Sequence, residues 1–332
     1  MRFFLLISLI IISYVDGFSQ GCCSGGFGSP IAGGVATGVM QKNQLEFSFN
    51  YQINSSDRFY NENTEIEKLF NKFSSEYLFL RSDFGVNKRL TLSLSAGYFL
   101  NKSKYAINNA NIISTGGIGD LFFFPRYSIY NKTSNFQTTS VVVGIGFKIP
   151  LNSSTDSTLT FSAGSINNYQ INPPMLQLTD GSNDLMFSSF FFKHYQKDKI
   201  RFFISTLYVK KGYNLQGIKY GDYSSFSFFI SKNFFRRWDI TSQFKYENIG
   251  HINIDNNVEE WDLLEYQIYP ESTGSKKVFF IPQLSFSNNN FTFFTSFDVP
   301  VYQFLDGTQI GSKNIFNLGV NYRFMTKKNI HQ

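Results

Sequence analysis

The 332-residue sequence has few charges, few cysteines and almost no long apolar runs. Charged residues make up 16% and aromatics 18% of the chain, whereas disordered chains are rich in charge and poor in aromatics. Membrane-spanning helices need about 20 consecutive apolar residues, and only the N-terminus approaches such a run. The two cysteines, Cys22 and Cys23, are adjacent, which excludes a disulfide scaffold joining distant segments. The composition also lacks the Ala, Glu, Lys, Leu and Arg dominance of a long coiled coil.

The N-terminus has the pattern of a secretory signal peptide. Arg2 precedes a short apolar core from Phe3 to Ile12, which is too short to cross a bilayer. Small residues predict cleavage after Ser19, which makes residues 1–19 the signal peptide. Two alternatives are a lipoprotein acylated on one of the cysteines, although the usual preceding leucine is absent, and an uncleaved buried helix. Export is therefore the expected fate of the chain.

The net charge of the sequence is positive, +6 with a pI near 9.0. Its basic residues occur singly or in pairs such as Lys210-Lys211, and no basic cluster carries a groove-reading motif. We interpret the charge as scattered and solvated, and we expect no nucleic-acid partner.

The body of the chain alternates between apolar and polar residues with the period of two that β-strands show. Apolar residues occupy alternate positions from Leu45 to Ile53, from Val141 to Ile149 and from Phe316 to Phe324. The polar positions between them include charges deep within the stretches. These stretches last about 9–13 residues, as in tilted membrane-spanning strands, whereas soluble strands run about 5–6. An apolar face towards lipid and a polar face towards a lumen would explain the pattern.

About twelve such strands can be placed, an even number as in bacterial single-chain barrels. The predicted strands are 43–53, 74–87, 90–100, 118–130, 138–149, 183–195, 200–210, 222–232, 237–248, 277–287, 290–298 and 314–324. Short connections alternate with long ones, which predicts short periplasmic turns and long extracellular loops. The long connections are 54–73, 101–117, 150–182, 211–221, 249–276 and 299–313. The predicted fold is an all-β transmembrane antiparallel β-barrel over residues 43–324; the alternative is a soluble β-sandwich with uneven loops.

The last predicted strand ends in Tyr322-Arg323-Phe324, an aromatic ending common in outer-membrane barrels. A polar tail, 325–332, follows it and departs from that pattern. Outer-membrane lipid and the barrel-assembly machinery are the partners that this location implies.

Several short motifs occur in a recognisable order. They are Gly117-Ile118-Gly119-Asp120, Pro125-Arg126-Tyr127, Gly146-Phe147-Lys148-Ile149-Pro150, Asp180-Gly181-Ser182-Asn183-Asp184-Leu185, Tyr220-Gly221-Asp222, Asp298-Val299-Pro300-Val301-Tyr302 and the ending Gly319 to Phe324. Their order resembles that of the outer-membrane barrels named for the meta-pathway of phenol degradation, relatives of the long-chain fatty-acid transporters. The resemblance covers about residues 117–324, and it implies passive transport of small, often hydrophobic molecules. The abundance of Phe and Asn also resembles that of exported Bacteroidetes proteins.

Strand parity directs a set of charged and aromatic side chains towards the predicted lumen. Such charges can set solute selectivity, or they can pair across the lumen and stabilise the barrel, which we favour. Two inward phenylalanines favour a lumen that tolerates apolar solutes. The candidate lumen residues are Arg81, Asp83, Asp120, Phe122, Phe124, Arg126, Lys148, Lys245, Glu247 and Arg323.

Residues 20–42, rich in glycine and other small residues, precede the first strand. They are interpreted either as a hatch inside the lumen, as the resemblance to fatty-acid transporters implies, or as a flexible periplasmic tail. Cys22 and Cys23 could form a vicinal disulfide or bind a soft metal such as Cu(I), but two adjacent ligands make a poor site. No cofactor is expected.

An enzymatic role is disfavoured. A membrane phospholipase would need a serine beside a histidine, and no serine motif accompanies His194, His251 or His331. Acidic residues near 259–265 lack the spacing of an EF-hand and are interpreted as a solvated loop. The sequence predicts a passive channel for small, hydrophobic or aromatic solutes; the alternative is a non-conducting surface barrel whose loops bind a ligand or partner.

Overall fold

The computed structural model describes residues 38–107, 111–163 and 166–327. The strands are β1 (Gln44–Ser56), β2 (Phe59–Glu62), β3 (Thr64–Ile66), β4 (Lys72–Gly85), β5 (Leu90–Tyr105), β6 (Ile112–Phe123), β7 (Arg126–Thr133), β8 (Gln137–Pro150), β9 (Ser157–Ala163), β10 (Ile166–Ile171), β11 (Asp184–Tyr195), β12 (Ile200–Lys210), β13 (Ile218–Lys219), β14 (Tyr223–Asn233), β15 (Trp238–Ile249), β16 (Asn253–Ile254), β17 (Ser275–Asn288), β18 (Phe291–Ile310) and β19 (Ile315–Met325). One short helix, α1 (Glu260–Glu265), and two 3₁₀ turns, Pro174–Leu176 and Pro270–Ser272, lie in the connections. Within this part of the chain, no helix is long and apolar enough to cross a membrane.

The strands form a closed antiparallel barrel. Its order is β1, β4, β5, β6 together with β7, β8, β11, β12, β14, β15, β17, β18 and β19. The ring is closed by β1 and β19, which pair from Gln44 opposite Met325 to Asn54 opposite Ile315. Closure gives the barrel no free sheet edge, as hydrocarbon surroundings demand. The predicted all-β barrel of about twelve strands is confirmed.

The outward parity of the barrel carries an apolar belt. Phe47, Leu80, Ile145, Phe244 and Leu318 lie on different strands around the ring, and each side chain is about half exposed. Exposed apolar surface on this scale is unusual in a soluble monomer and is the normal exterior of a membrane barrel. The aromatic richness of the sequence is thus partly explained by this face.

The inward parity is polar and tightly filled. Glu46 and Asp83 are fully buried there, and Ser93 and Gln243 nearly so. Buried polar groups must find partners inside the protein, because an unpaired one costs free energy. The lumen is therefore held by side-chain hydrogen bonds and ion pairs.

Inward aromatic rings lie over inward glycines of neighbouring strands. A Cβ added at Gly97 would come within 1.9 Å of the Tyr77 hydroxyl, and one at Gly146 within 2.0 Å of the Phe124 ring. Gly319 lies in the same way beneath Phe294, at 2.1 Å. Because glycine has no side chain, the aromatic ring can occupy the space above it. This packing explains why glycine occurs inside these strands, although strands otherwise disfavour it.

Two connections differ from the sequence prediction. The predicted long loop 299–313 is wrong, because β18 continues to Ile310 and leaves only residues 311–314 as a loop. The alternation breaks at Pro300, where the pairing register with β17 shifts, so the sequence pattern ends before the strand does. The barrel strand predicted at 118–130 is interrupted at Phe124-Pro125, where proline lacks the N–H that a continuous ladder needs.

The long connection 150–182 contains more structure than predicted. It holds the β9–β10 hairpin, and then residues 172–183, which turn into the barrel mouth. We call residues 172–183 the inward segment. Met175 and Leu176 of this segment are buried against Phe59, Phe73 and Ile310 at the barrel rim. Apolar burial therefore holds the segment inside.

Some sequence predictions lie outside the described residues. These are the signal peptide, most of the 20–42 segment including Cys22 and Cys23, and the end of the polar tail.

The ring-over-glycine packing predicts that Gly146→Leu destabilises the barrel by about 1–3 kcal/mol, because its side chain would occupy the space of the Phe124 ring. Combining it with Phe124→Ala should lose less than the sum of the two single losses, since the smaller residue vacates that space. Stability is measured by urea unfolding in detergent, followed by the gel shift between folded and unfolded barrel. The control is Ile145→Leu on the outward face, which should behave as wild type. If the losses of unfolding free energy in the two single variants simply add in the double variant, the proposed packing of the Phe124 ring over Gly146 is contradicted.

Candidate functional site

Within the described residues, the lumen contains three groups of charged side chains and two cavities. We name its ends by their connections: the short-turn end carries the turns such as 86–89 and 196–199, and the long-loop end carries the inward segment.

The first cluster lies near the short-turn end and crosses the junction where the ring closes. We call it the seam cluster, and it comprises Glu46, Arg81, Asp83, Arg126 and Arg323. Arg323 donates through Nε and Nη2 to Glu46 Oε2 at 2.8 and 2.6 Å. Asp83 accepts hydrogen bonds from Arg81 Nε at 2.8 Å and from Arg126 Nη2 at 2.7 Å. The cluster thus links β19, β1, β4 and β7.

The two acids of the seam cluster are buried, so their charges must be balanced inside the barrel. Glu46 and Asp83 are inaccessible to solvent, while three arginines surround them. A buried carboxylate is tolerated only when it is paired and hydrogen-bonded. Ser93 supplies a further hydrogen bond to Asp83, at 2.5 Å. Loss of an acid would leave unbalanced positive charge inside the barrel.

The second cluster lies at the long-loop end. We call it the mouth cluster, and it comprises Asp120, Lys148, Asp180, Asp184 and Lys211. The ammonium groups of both lysines lie 2.9 Å from Asp184 Oδ2. Lys211 is also 2.6 Å from Asp180, and Lys148 contacts Asp180 and lies 3.8 Å from Asp120. These residues come from β6, β8, β11, the inward segment and the residue after β12.

The mouth cluster ties the inward segment to the wall. Asp180 belongs to that segment, whereas the two lysines belong to the wall. Thr179 donates to Asp120 at 2.5 Å, and Thr115 donates to the Leu176 carbonyl at 2.7 Å. The segment is therefore held by charge and hydrogen bonds as well as by apolar packing.

A smaller group of charges faces the lumen on the opposite wall. Lys245 lies 2.8 Å from Glu247, which also accepts a hydrogen bond from the Tyr223 hydroxyl at 2.9 Å. Asp298 accepts from Asn317 at 3.0 Å and lies 3.9 Å from Lys245. These buried charges are paired within their own wall.

Two cavities occupy the lumen. The long-loop chamber, of about 1230 Å³ including space open to solvent, is lined by charges of both walls and by aromatic rings such as Phe99 and Phe122. The short-turn chamber, of about 800 Å³ on the same basis, is lined by Arg81, Arg126 and Phe124 together with several serines. No residue in the described part of the chain lines both chambers. Phe79 packs edge-to-face against Phe122, which lines the long-loop chamber, with 6.4 Å between the ring centroids.

The start of the described chain enters the short-turn chamber. Gly38 lines it, and a Cβ there would lie 2.7 Å from Val142. Val39 is buried with Val142 and with Phe190 and neighbouring rings, and the Met40 amide donates to the Thr91 hydroxyl at 2.7 Å. The last residues before β1 therefore lie within the lumen and not beside the barrel.

An ion pair also bridges the loops at the long-loop rim. Asp57, which follows β1, contacts the Lys313 ammonium and lies 3.2 Å from that of Lys68. The hydrogen bond from Lys313, aided by Lys68, holds the pKa of the Asp57 carboxyl below its usual value. This rim contact stays charged at mildly acidic pH.

The structure places all the candidate lumen residues on the inward parity. Arg81 and Asp83 pair with each other. Asp120 and Arg126 share one barrel strand but belong to different clusters: Asp120 faces Lys148, and Arg126 binds Asp83. Phe122 lines the long-loop chamber, and Phe124 lines the short-turn chamber.

Sequence reasoning missed several residues of these sites. Asp180 belongs to one of the motifs that carry the family resemblance, but the motif does not predict that Asp180 forms a buried ion pair. Lys211 was treated as half of a solvated basic pair. Lys102 fell in a predicted loop because its strand extends to Tyr105. No local signal reveals the inward fold of the segment that joins them.

The described residues contain neither a hydrogen-bonded histidine–serine pair nor a cluster of metal ligands. Neither His194 nor His251 is hydrogen-bonded to a serine there; His251 lies 3.3 Å from Asp306. Within the same ranges, no group of three or more His, Cys, Asp or Glu side chains is placed to hold a metal ion. The acidic residues Glu259 and Asp262 cap α1 through a reciprocal capping box.

Comparison with known proteins identifies the fold but no family. No family model matches the sequence, and no curated protein sequence matches it. An outer-membrane channel from Pseudomonas putida F1 is similar in structure, with a TM-score of 0.61 and 12% identity over 86% of this chain and 97% of that one. The chain therefore has the fold of an outer-membrane channel.

Two other solved structures give weaker similarity. A monoaromatic hydrocarbon channel, CymD, gives a TM-score of 0.39 at 10% identity over 86% of this chain and 89% of that one. A FadL homologue from Pseudomonas aeruginosa gives 0.38 at 11% identity over 85% and 90%. Similarities at this level add nothing to the fold assignment.

The charge balance of the seam cluster predicts that removing an acid lowers the free energy of unfolding more than removing an arginine does. Glu46→Gln should cost about 3–5 kcal/mol of unfolding free energy, because it leaves three arginines around one acid. Arg323→Met should cost less, since two arginines and two acids remain and the Arg323 side chain is partly exposed. Urea unfolding in detergent measures both, with exposed Glu67→Gln as the control. If the two variants lose equal unfolding free energy, or if Arg323→Met loses more, the argument from charge balance is contradicted.

Proposed function

We propose that the protein is an outer-membrane channel for the passive uptake of small solutes with hydrophobic or aromatic character. The observation that carries the proposal is the long-loop chamber, which lies inside a closed barrel and combines aromatic rings with charges. A purely water-filled pore would not need Phe73, Tyr77, Phe99 and Phe122 on its inner wall. Aromatic lining lowers the cost of bringing an apolar group into the lumen.

The barrel exterior supports a location in the outer membrane. The apolar belt suits lipid contact, and the predicted signal peptide would deliver the chain across the inner membrane. In this orientation the short-turn end faces the periplasm and the long-loop end faces outside. Outer-membrane lipid, the barrel-assembly machinery and the solute are the proposed partners.

Two obstructions would control passage through the lumen. The inward segment narrows the outer mouth, and residues 38–40 fill part of the short-turn chamber. The position of residues 38–40 supports the interpretation of the 20–42 segment as a hatch. The Met40 amide of this segment donates to the Thr91 hydroxyl. Displacement of this segment would open a path between the chambers and the periplasm.

A second candidate function rests on the long loops. Leu215 is almost fully exposed there, at 98%, and Trp261 is largely exposed, at 77%. Exposed apolar residues on surface loops favour contact with another molecule. A non-conducting barrel whose loops bind a ligand or partner is therefore the alternative.

The hatch proposal predicts that deleting residues 21–39 raises the liposome swelling rate, because the short-turn chamber is then cleared. Neutral solutes of graded size are compared between the deletion and the full-length barrel, both folded by gel mobility. Asp198→Asn, on an exposed periplasmic turn, is the control and should swell as wild type. Unchanged swelling of the deletion variant would refute the hatch, and absence of swelling for every solute in both proteins would refute the channel.

The mouth cluster predicts a second route to higher permeability. Asp180→Asn cuts the tie between the inward segment and the two lysines, while two acids and two lysines remain balanced in the wall. It should increase swelling for the larger solutes and expose the segment to proteolysis. Asp184→Asn is the matched control, because it removes the same charge from β11 and leaves the Asp180 tie in place. Equal behaviour of the two variants would refute the gating role of Asp180.

A further inference from the structure

Lys102 is a buried cation at the wall of the long-loop chamber. It lies near the outer end of β5 and is only 1% exposed. Its ammonium group donates to the Gln177 carbonyl of the inward segment at 2.5 Å and lies 4.5 Å from the centre of the Phe99 ring. Both contacts are with neutral groups.

No carboxylate compensates this charge in the described residues. Each lysine of the mouth cluster has at least two acids within 4 Å, and Lys245 has Glu247 at 2.8 Å. Among residues 38–107, 111–163 and 166–327, the ion pairs within 4 Å do not include Lys102, whose ammonium contacts the Gln177 carbonyl and the Phe99 ring. A buried ammonium without a counter-charge is costly to a fold, so its retention points to an anion supplied from elsewhere.

Lys102 belongs to a polar row that crosses three neighbouring strands. Asn54 on β1 is opposite Ser75 on β4, and Ser75 is opposite Lys102 on β5. All three line the long-loop chamber. An amide, a hydroxyl and an ammonium in one row are three donors for a carboxylate.

An aromatic wall adjoins this row on its periplasmic side. Tyr77, two residues from Ser75 along β4, packs on Phe99 with ring centroids 4.6 Å apart. Phe122 of β6 lines the same chamber. Inward residues two apart on a strand are separated by about 7 Å. The row and the rings therefore lie within the length of one small molecule.

The acids that also line the chamber have cationic or amide partners other than Lys102. Asp120 and Asp180 contact the mouth-cluster lysines, which also contact Asp184. Glu247 is offset by Lys245, and Asp298 accepts from Asn317. Within the described part of the chain, Lys102 forms an ion pair with none of these acids.

We propose that the long-loop chamber binds small aromatic carboxylates, with the carboxylate on Lys102 and its row and the ring against Tyr77, Phe99 and Phe122. This assignment rests on the proposed channel function and narrows its solute class. It distinguishes aromatic acids from neutral aromatics of the same shape, which would gain the ring contacts but not the ion pair.

The test compares cinnamate with cinnamyl alcohol, which have the same ring and chain length. Equilibrium binding to the full-length barrel in detergent and uptake into proteoliposomes are both measured. Wild type should bind the acid about tenfold or more tightly than the alcohol, since a hydrogen bond to a charged group is worth about 1.5–3 kcal/mol. Lys102→Met should remove that preference and leave alcohol binding unchanged. Lys102→Arg should retain the preference, and Lys197→Met, on an exposed turn, should match wild type.

The outcomes separate this assignment from the channel function. If wild type binds cinnamate and cinnamyl alcohol equally, the assignment is overturned. It is also overturned if folded Lys102→Met still binds cinnamate more tightly than the alcohol. Uptake of the alcohol in either case leaves the channel intact. Selective acid binding that depends on Lys102, without uptake of either compound, supports the binding site and contradicts the channel.

Discussion

Closure of the ring is the constraint on which the rest of the structure depends. A strand in hydrocarbon cannot leave its N–H and C=O groups unpaired, so the first and last strands must meet. They meet along Gln44 to Asn54, and the seam cluster lies behind this junction, with Glu46 of β1 bound to Arg323 of β19. The same closure turns one parity outward to lipid and confines the other in a narrow lumen. Charges on that inner parity have little water to stabilise them, so they must stabilise each other.

The buried charges of the lumen are paired within separate clusters and not within one continuous network. The seam cluster joins neighbouring wall strands, whereas the mouth cluster joins the wall to the inward segment. The seam cluster stabilises the barrel wall. The mouth cluster fixes the inward segment, because Asp180 belongs to that segment whereas Asp184 belongs to β11. Lys102 differs from both groups, since its contacts are neutral and it faces the chamber.

Strand placement was predictable because the period of two continues through each membrane-spanning stretch. The pattern failed where geometry departs from a regular pleat: at Pro300, where the register shifts, and at Phe124-Pro125, where the ladder is interrupted. Parity also identified inward charges such as Asp83 and Lys148, but it could not identify their partners. Asp120 and Arg126 look like a pair along one strand, yet each binds a residue of another element. Asp180 was beyond prediction, because the fold of a long loop into the mouth leaves no periodic signal.

The proposed passage of a solute requires that the two parities face different media. Single cysteines at positions 240–246 of β15, in a background with Cys22 and Cys23 replaced by serine, can report this through a fluorescent label and brominated lipids. The account predicts quenching by lipid at 240, 242, 244 and 246 and protection at 241, 243 and 245, where the side chains are buried in the lumen. Uniform quenching, or quenching without a period of two, would contradict it.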